Sequence, residues 1–327
     1  MRVALTGGSG FIGRALLTRL HAEGIPCGAL VRHGALWRGG AEVAVRALPQ
    51  AGDPGERWAE ILQDTDVLVH LAARAHQGEG ADPAALAAFE KINVGLTTRL
   101  ALGAAKSGVR HLVYMSSIKV CGERSATNVD GRVSAFSQDS PPAPEGPYGA
   151  SKLRAEQSLR EICTTAGVSL SIFRPPLVYG VGMRGNLKSL LRVLDLGLPL
   201  PLASIHNQRS LIHRDSLVDA VLRAIKADRP GAAVYTLADL DFSTPDLVRA
   251  MARGLGKPAR LFPFPPRLLR SLGTLAGKAS AVDRLTESLR VDGSYAMHEL
   301  GWQPRLDTED AWAEIGRCYR LGGEAWQ

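Results

Sequence analysis

Tyr148 and Lys152 stand four residues apart in the run Pro147-Tyr148-Gly149-Ala150-Ser151-Lys152. On a helix that spacing puts both side chains on one face. An ammonium beside a phenol favours the phenolate, so Lys152 is expected to draw the Tyr148 pKa below its ordinary value of about 10. That would fit Tyr148 to exchange a proton with a carbonyl or alcohol oxygen near neutral pH. Such pairs also arise on ordinary helix surfaces, so the argument needs a second group. Met115-Ser116-Ser117 supplies it by closing an apolar run that begins at His111. Ligands of a parallel sheet bind beyond the carboxyl ends of its strands, where a Ser117 hydroxyl can bond the same substrate oxygen as Tyr148.

A third constellation is Thr6-Gly7-Gly8-Ser9-Gly10-Phe11-Ile12-Gly13, between an apolar strand at 2–6 and a helix at 11–23. Glycine lets the backbone turn sharply and approach a pyrophosphate, and the helix start offers unpaired N–H groups and a positive dipole end. Two registers fit, Gly8-x-Gly10-x-x-Gly13 and Gly7-x-x-Gly10-x-x-Gly13. The order strand, loop, helix is the one a dinucleotide site requires. NAD sites carry an acid roughly 20 residues after the loop, whereas here the second strand ends in Val31-Arg32-His33. An arginine can pair with a 2′-phosphate, which favours NADP(H). Arg32 stacked on adenine would leave NAD(H) open. Asp53, after Gly52, is placed either at the adenine amine or in an exposed turn.

The elements that must hold these groups alternate. Strands are expected at 2–6, 27–31, 66–71, 111–115 and 169–173, with helices at 11–23, 83–107 and 151–165. That alternation predicts an α/β fold, a Rossmann-type doubly wound parallel sheet. Beyond residue 174 prolines punctuate shorter pieces, and Thr244-Pro245-Asp246 reads as a helix start with Thr244 at the N-cap. The expected division is a dinucleotide-binding domain at 1–174 and a smaller C-terminal α/β substrate lobe at 175–327, interleaved with the sheet. Residues 263–278, PFPPRLLRSLGTLAGK, read as a core-packing helix in preference to a membrane-surface one.

Composition narrows the class. Of 327 residues 45% are hydrophobic and 22% charged, enough for a sizeable core and against disorder. No uninterrupted apolar run approaches the length of a spanning helix, and the early glycine loop is expected to leave no room for a signal peptide. Cys27, Cys121, Cys163 and Cys318 lack metal-like spacing, so reduced thiols in a cytoplasmic protein are expected. His76, His206 and His213 show no zinc spacing either, and His70 is expected to pack within its strand. The formal charge of +7 is dispersed, which disfavours a nucleic-acid partner.

Taken together, these motifs resemble the extended short-chain dehydrogenase/reductase family, with its nucleotide-sugar epimerases, dehydratases and reductases. The resemblance covers nearly the whole chain. TGGSGFIG is similar to the family's cofactor loop, and His70-Leu71-Ala72-Ala73 to its fourth-strand motif lining the cofactor. Asn93 resembles the asparagine of its central helix, and Ser117, Tyr148 and Lys152 its catalytic serine, tyrosine and lysine. Arg174-Pro175-Pro176-Leu177-Val178-Tyr179-Gly180 resembles the segment beside nicotinamide, which implies a cofactor contact for Pro175. The resemblance also implies that Asn186 and Arg209 hold the substrate diphosphate, that the sugar is UDP-linked, and that the chain forms a homodimer. Where sugar epimerases usually show a small or hydroxyl residue and then Val-Tyr-Gly, this chain has Ile118-Lys119-Val120-Cys121-Gly122. That departure, with RPPLVYG and Ser204-Ile205-His206-Asn207, resembles bacterial enzymes of surface-polysaccharide (O-antigen) synthesis. These reduce UDP-4-keto-6-deoxy-N-acetylglucosamine to UDP-N-acetylquinovosamine. Lys119 either binds sugar or diphosphate or is simply solvated.

The leading expectation is therefore an NAD(P)H-dependent 4-keto reductase with Tyr148 as proton donor. A C4 epimerase of a UDP-N-acetylhexosamine or UDP-glucose would use the same residues but would usually prefer NAD, which Arg32 disfavours. A non-catalytic NADP-sensing protein on the same fold would have no need of Ser117, Tyr148 and Lys152 together.

Overall fold

Val3 and Leu5 point to one face of the first strand and Ala4 to the other, and this alternation starts two separate cores. The computed structural model describes residues 1–32, 43–75, 83–227 and 229–326. His33 and His76 lie outside the described residues. The strands are β1 (Val3–Thr6), β2 (Cys27–Val31), β3 (Ala44–Ala47), β4 (Val67–His70), β5 (His111–Met115), β6 (Ala135–Phe136) and β7 (Ser169–Arg174). They continue with β8 (Leu177–Tyr179), β9 (Arg209–His213), β10 (Ala232–Thr236), β11 (Leu240–Phe242) and β12 (Arg290–Val291). Helices α1 (Phe11–Ala22), α2 (Gly55–Glu60), α3 (Pro83–Phe89), α4 (Thr97–Ser107), α5 (Pro147–Ala166) and α6 (Asn186–Asp195) come first. After them are α7 (Arg214–Ala227), α8 (Thr244–Gly254), α9 (Pro266–Leu275), α10 (Ala279–Thr286), α11 (Ser294–Leu300) and α12 (Thr308–Leu321).

Among the described residues, seven strands form one sheet in the order β10-β7-β5-β4-β1-β2-β3, every pairing parallel. The chain runs outward from β1 in one direction and from β4 in the other, so the crevice between their carboxyl ends is the topological switch point. Leu16, Leu17 and Leu20 of α1 join Leu217, Val221 and Ile225 of α7 on one face. Trp58, Leu100, Ala104 and Leu159, from α2, α4 and α5, cover the other. This is the Rossmann-type α/β sheet that the alternation predicts. β3 and α2 had no sequence signal strong enough to read, since β3 is a four-residue edge strand with exposed side chains.

The edge strand beside β7, β10, comes from well beyond residue 174, so the lobe and the sheet are interwoven in sequence. The lobe packs α6, α8 and α12 around Tyr179, Leu191, Met251 and Trp312. Two small sheets brace it: β11-β9-β8, and the β6–β12 pair.

Three details differ from the sequence reading. The helical pattern at 83–107 contains a wider π turn, Glu90–Leu96, between α3 and α4. The N-cap of α8 is Ser243, whose hydroxyl accepts from the Asp246 N–H; Thr244 lies inside and donates to the Leu285 carbonyl. The expected core-packing helix at 263–278 becomes α9, in which Gly273 alone is buried. Leu269 and Gly273 fill the seam against α10 and the lobe, which leaves the neighbouring leucine stripe outside.

Candidate active site

The cofactor loop is built by close backbone approach. Gly7 takes φ +73°, a left-handed conformation that glycine alone adopts freely, and its carbonyl accepts from Gly10 N–H at 2.9 Å. A Cβ on Gly13 would collide with that same carbonyl, and one on Gly7 with Leu71 and Ala72 at the end of β4. These glycines seat the first turn of α1, with Phe11 and Ile12, against the strand ends, leaving a backbone cradle shaped for a pyrophosphate. The residues present therefore fit a dinucleotide. Arg184 and Arg214 come within electrostatic reach of Arg14 beside this loop; burial and then these two charges lower the Arg14 pKa. The Arg214 guanidinium lies 5.5 Å over the Phe11 ring. The sequence reading missed this cluster because its members are far apart in the chain. Arg32 is exposed at the end of β2. Asp53 closes a turn, accepting from Gln50 N–H at 2.8 Å and standing 3.8 Å from Arg57.

Ser117 and Tyr148 are brought together by two local features. Segment 116–118 is stitched to the strand beside it, Ser116 N–H donating to Phe173 and Ile118 N–H to Pro175, at 2.7 and 3.0 Å. Gly149 then lets the start of α5 lie on the Lys119 carbonyl, a contact that a Cβ would block. As a result the Ser117 side chain stands beside Tyr148, where it acts to lower the phenol pKa. Phe89 flanks the phenol, ring centroids 6.2 Å apart.

Tyr148 is not the acidified phenol expected from sequence. Burial pushes its pKa up to about 12, and Ser117 opposes that only in part. Lys152 is directed elsewhere: its Nζ donates to the Met115 carbonyl at 2.7 Å and to the Tyr114 hydroxyl at 3.2 Å. Desolvation lowers the Lys152 pKa to about 7, with Glu156 opposing. The four-residue spacing sets both side chains on one face, but the lysine stem carries its ammonium down to the end of β5.

Behind Lys152 a buried polar chain runs across the sheet. Tyr114 lies beside Thr97, which opposes the raising of its pKa by burial; Thr97 Oγ1 donates to the Asn93 carbonyl at 2.6 Å and meets His70 Nε2 at 2.8 Å. His70 Nδ1 reaches Thr6 Oγ1 at 2.6 Å. Because Thr97 spends its proton on Asn93, His70 carries hydrogen on Nε2 and accepts at Nδ1. Burial lowers its pKa to about 3, which keeps it neutral. The Asn93 amide bonds both backbone groups of Arg74 and donates to Ser151 Oγ at 2.9 Å. Ser151 in turn donates to the Tyr148 carbonyl at 2.8 Å. Asn93, inside the π turn, thus clamps the loop after Leu71, Ala72 and Ala73 to the helix bearing Tyr148. Tyr114 and Thr97 were missed in the sequence, where they read as ordinary strand and helix positions.

A buried ion pair supports the serines. Arg174 grips Glu156 through Nε and Nη2 at 3.0 and 2.7 Å, and Ser116 Oγ donates to the same carboxylate at 2.5 Å. On the lobe side Lys119 pairs with Glu123 at 2.8 Å. Half-buried Arg209 donates to the Glu287 carbonyl at 3.0 Å; burial lowers its pKa, and Glu123 lies within its electrostatic reach. Asn186 is exposed at the first turn of α6, and Pro175 is buried beside Ile118.

The fold and this site define an enzyme of the extended short-chain dehydrogenase type. Residues 3–238 match the model of the NAD dependent epimerase/dehydratase family, and the chain belongs to it. A UDP-glucose 4-epimerase of Vibrio cholerae is 33% identical over 320 residues, 97% of this chain and 95% of its own. The N-acetyl-alpha-D-glucosaminyl-diphospho-ditrans,octacis-undecaprenol 4-epimerase of Escherichia coli O157:H7 is 29% identical over 247 residues, 72% of this chain and 71% of that protein. A dTDP-glucose 4,6-dehydratase from Streptomyces venezuelae, solved with NAD bound, shares the fold. Its TM-score is 0.76 at 24% identity, over 100% of this chain and 99% of its own. No described helix is long and apolar enough to cross a membrane, and all four cysteines are free thiols.

Proposed function

We propose that this chain is a cytoplasmic, NADPH-dependent 4-keto reductase of a UDP-linked sugar, of the type that forms UDP-N-acetylquinovosamine from UDP-4-keto-6-deoxy-N-acetylglucosamine. The observation that carries the carbonyl chemistry is the Tyr148 phenol with Ser117 beside it and Lys152 held at the end of β5. A bound reduced nicotinamide supplies hydride to C4. With its pKa near 12, Tyr148 is fully protonated at neutral pH, as a proton donor must be. It gives the phenolic proton to the C4 oxygen, and Ser117 donates a hydrogen bond to the same atom, where negative charge develops. Lys152 spends two N–H groups on Tyr114 and Met115 and keeps the third for a ribose hydroxyl.

Arg32, with no acid at the end of β2, supports NADPH over NADH through the 2′-phosphate. The Gly7–Gly13 cradle and the Arg14, Arg184 and Arg214 cluster suit the cofactor phosphates. In this reading residues 1–174 mainly hold cofactor and 175–327 mainly substrate, with Asn186, Arg209 and Lys119 at the sugar diphosphate. That remote binding energy fixes which ring face meets the hydride.

A second reading, a C4 epimerase, is favoured by the 33% identity to the Vibrio cholerae protein along nearly the whole chain. One assay separates the two. The purified chain is incubated with NADPH or NADH and the UDP-4-keto-6-deoxy sugar, and nicotinamide absorbance and sugar products are followed. Stoichiometric oxidation of NADPH supports the reductase. No net oxidation, with interconversion of UDP-N-acetylglucosamine and its C4 epimer in parallel, would replace it with the epimerase.

A further inference from the structure

A surface helix normally turns its leucines inward, but α9 does the reverse. Leu268, Leu272 and Leu275, at i, i+4 and i+7, are 54%, 55% and 85% exposed, and nearby Phe262 is 41% exposed. The inner stripe of α9 is already satisfied: Leu269 packs on the lobe core, and Val282 of α10 lies where a Gly273 side chain would be. Leu198, also exposed, belongs to the segment that hydrogen-bonds 260–262 through Leu200. The apolar surface therefore extends beyond the helix.

Charge identifies what covers it. Residues 257–286, through the end of α10, contain Lys257, Arg260, Arg267, Arg270, Lys278 and Arg284 against a single acid, Asp283. Lys257 pairs with Asp195, and Arg270 with Glu287 and Asp283. Arg267 and Lys278, both exposed, flank the leucine stripe at either end of α9. A second copy of this chain would set the same cations against one another, whereas an anionic lipid surface complements both the leucines and the charges. We propose that the α9–α10 hairpin docks this protein onto an anionic phospholipid bilayer. The hairpin is tied to the substrate lobe, since the Glu287 that Arg270 grips offers its carbonyl to Arg209. It lies outside the 3–238 segment that matches the family model.

Cosedimentation of the full chain with vesicles tests this. Binding is expected to vesicles of equal parts phosphatidylglycerol and phosphatidylcholine, much less to phosphatidylcholine alone, and to weaken with salt. Leu268→Ser/Leu272→Ser/Leu275→Ser should lower partitioning at least roughly tenfold. Arg267→Gln/Lys278→Gln should lower it roughly twenty-fivefold, about fivefold for each charge. Circular dichroism checks the fold of each variant, and the glutamine pair, at exposed sites, stands if the serine variant fails to fold. Absence of binding to the anionic vesicles overturns the proposal, as does undiminished binding by a folded triple-serine variant. So does a wild-type dimer in sedimentation velocity that the serine changes convert to monomer without any effect on lipid binding.

Discussion

Lys152 bonds Tyr114 and not Tyr148: its Nζ is 3.2 Å from the Tyr114 hydroxyl and 4.5 Å from that ring's centroid. The phenol of β5 thus holds the lysine from below, by hydrogen bond and by cation–π attraction. Through Thr97 and His70 the same chain reaches Thr6, at the start of the cofactor loop. Lysine position and loop position are therefore coupled through buried groups. Tyr114→Phe leaves the ring and removes the acceptor. The expected outcome is a roughly tenfold loss of kcat, with the alkaline limb of the pH profile moved to lower pH because the buried ammonium has lost a partner. A stability change with an unmoved pH profile would mean that Tyr114 is only structural.

Lys152 also sets a pH dependence. Burial lowers its pKa from 10.5 to about 7, so it is charged on the acid side of neutrality and neutral on the alkaline side. Reductive kcat/KM should fall as pH rises through about 7, while Tyr148, near 12, imposes no limb in that range. Stability carries the opposite sign. Between about pH 7 and 10.5 the unfolded chain binds the proton that the folded chain has lost, so this group's contribution to stability rises with pH across that window. Lys152→Met should flatten both trends, read from pH–rate profiles and from thermal melts across the same range.

The two hydroxyls are separable. Tyr148→Phe removes the proposed proton donor and should cost roughly 10²–10⁴ in kcat. Ser117→Ala removes one proposed donor to the developing oxyanion and should cost roughly 10²–10³. Neither change touches the glycine cradle, so cofactor binding followed by fluorescence titration should stay within about twofold. Equal loss of cofactor affinity and of rate would place these residues in binding instead.

Glu156 is a stability residue that serves the site. It is 1% exposed, faces an Arg174 that is 3% exposed, and also accepts from Ser116. Glu156→Gln removes one charge of a buried pair and leaves the guanidinium uncompensated, which costs about 3–5 kcal/mol. Urea denaturation should show a lower midpoint at an unchanged slope.

Arg32 decides cofactor choice in the proposed reading. Arg32→Glu should raise the KM for NADPH at least roughly tenfold and lower that for NADH, because a carboxylate repels a 2′-phosphate and accepts from a 2′-hydroxyl. Unchanged KM values for both would show that Arg32 stands clear of the ribose.

The sequence alone determined the parallel α/β sheet and the positions of the three constellations, since strand and helix periods, glycine spacing and strand-end serines are local signals. β2 and β5 fall where the apolar runs end, and the glycine loop sits between β1 and α1 as read. Only the tertiary structure decided what those groups do electrostatically. Tyr148 is raised and not lowered because burial outweighs the opposing effect of Ser117, and Lys152 turns to Tyr114 because the end of β5 presents a carbonyl and a phenol within its reach. The Thr6–His70–Thr97 chain, the Glu156–Arg174 pair and the arginines beside the loop join residues from 18 to 200 positions apart, and no local period records such contacts. The outward leucines of α9 follow the same rule. An amphipathic pattern specifies that one stripe differs from another, but which stripe is buried depends on the neighbour packed against it, and here α10 and the lobe took Leu269 and Gly273.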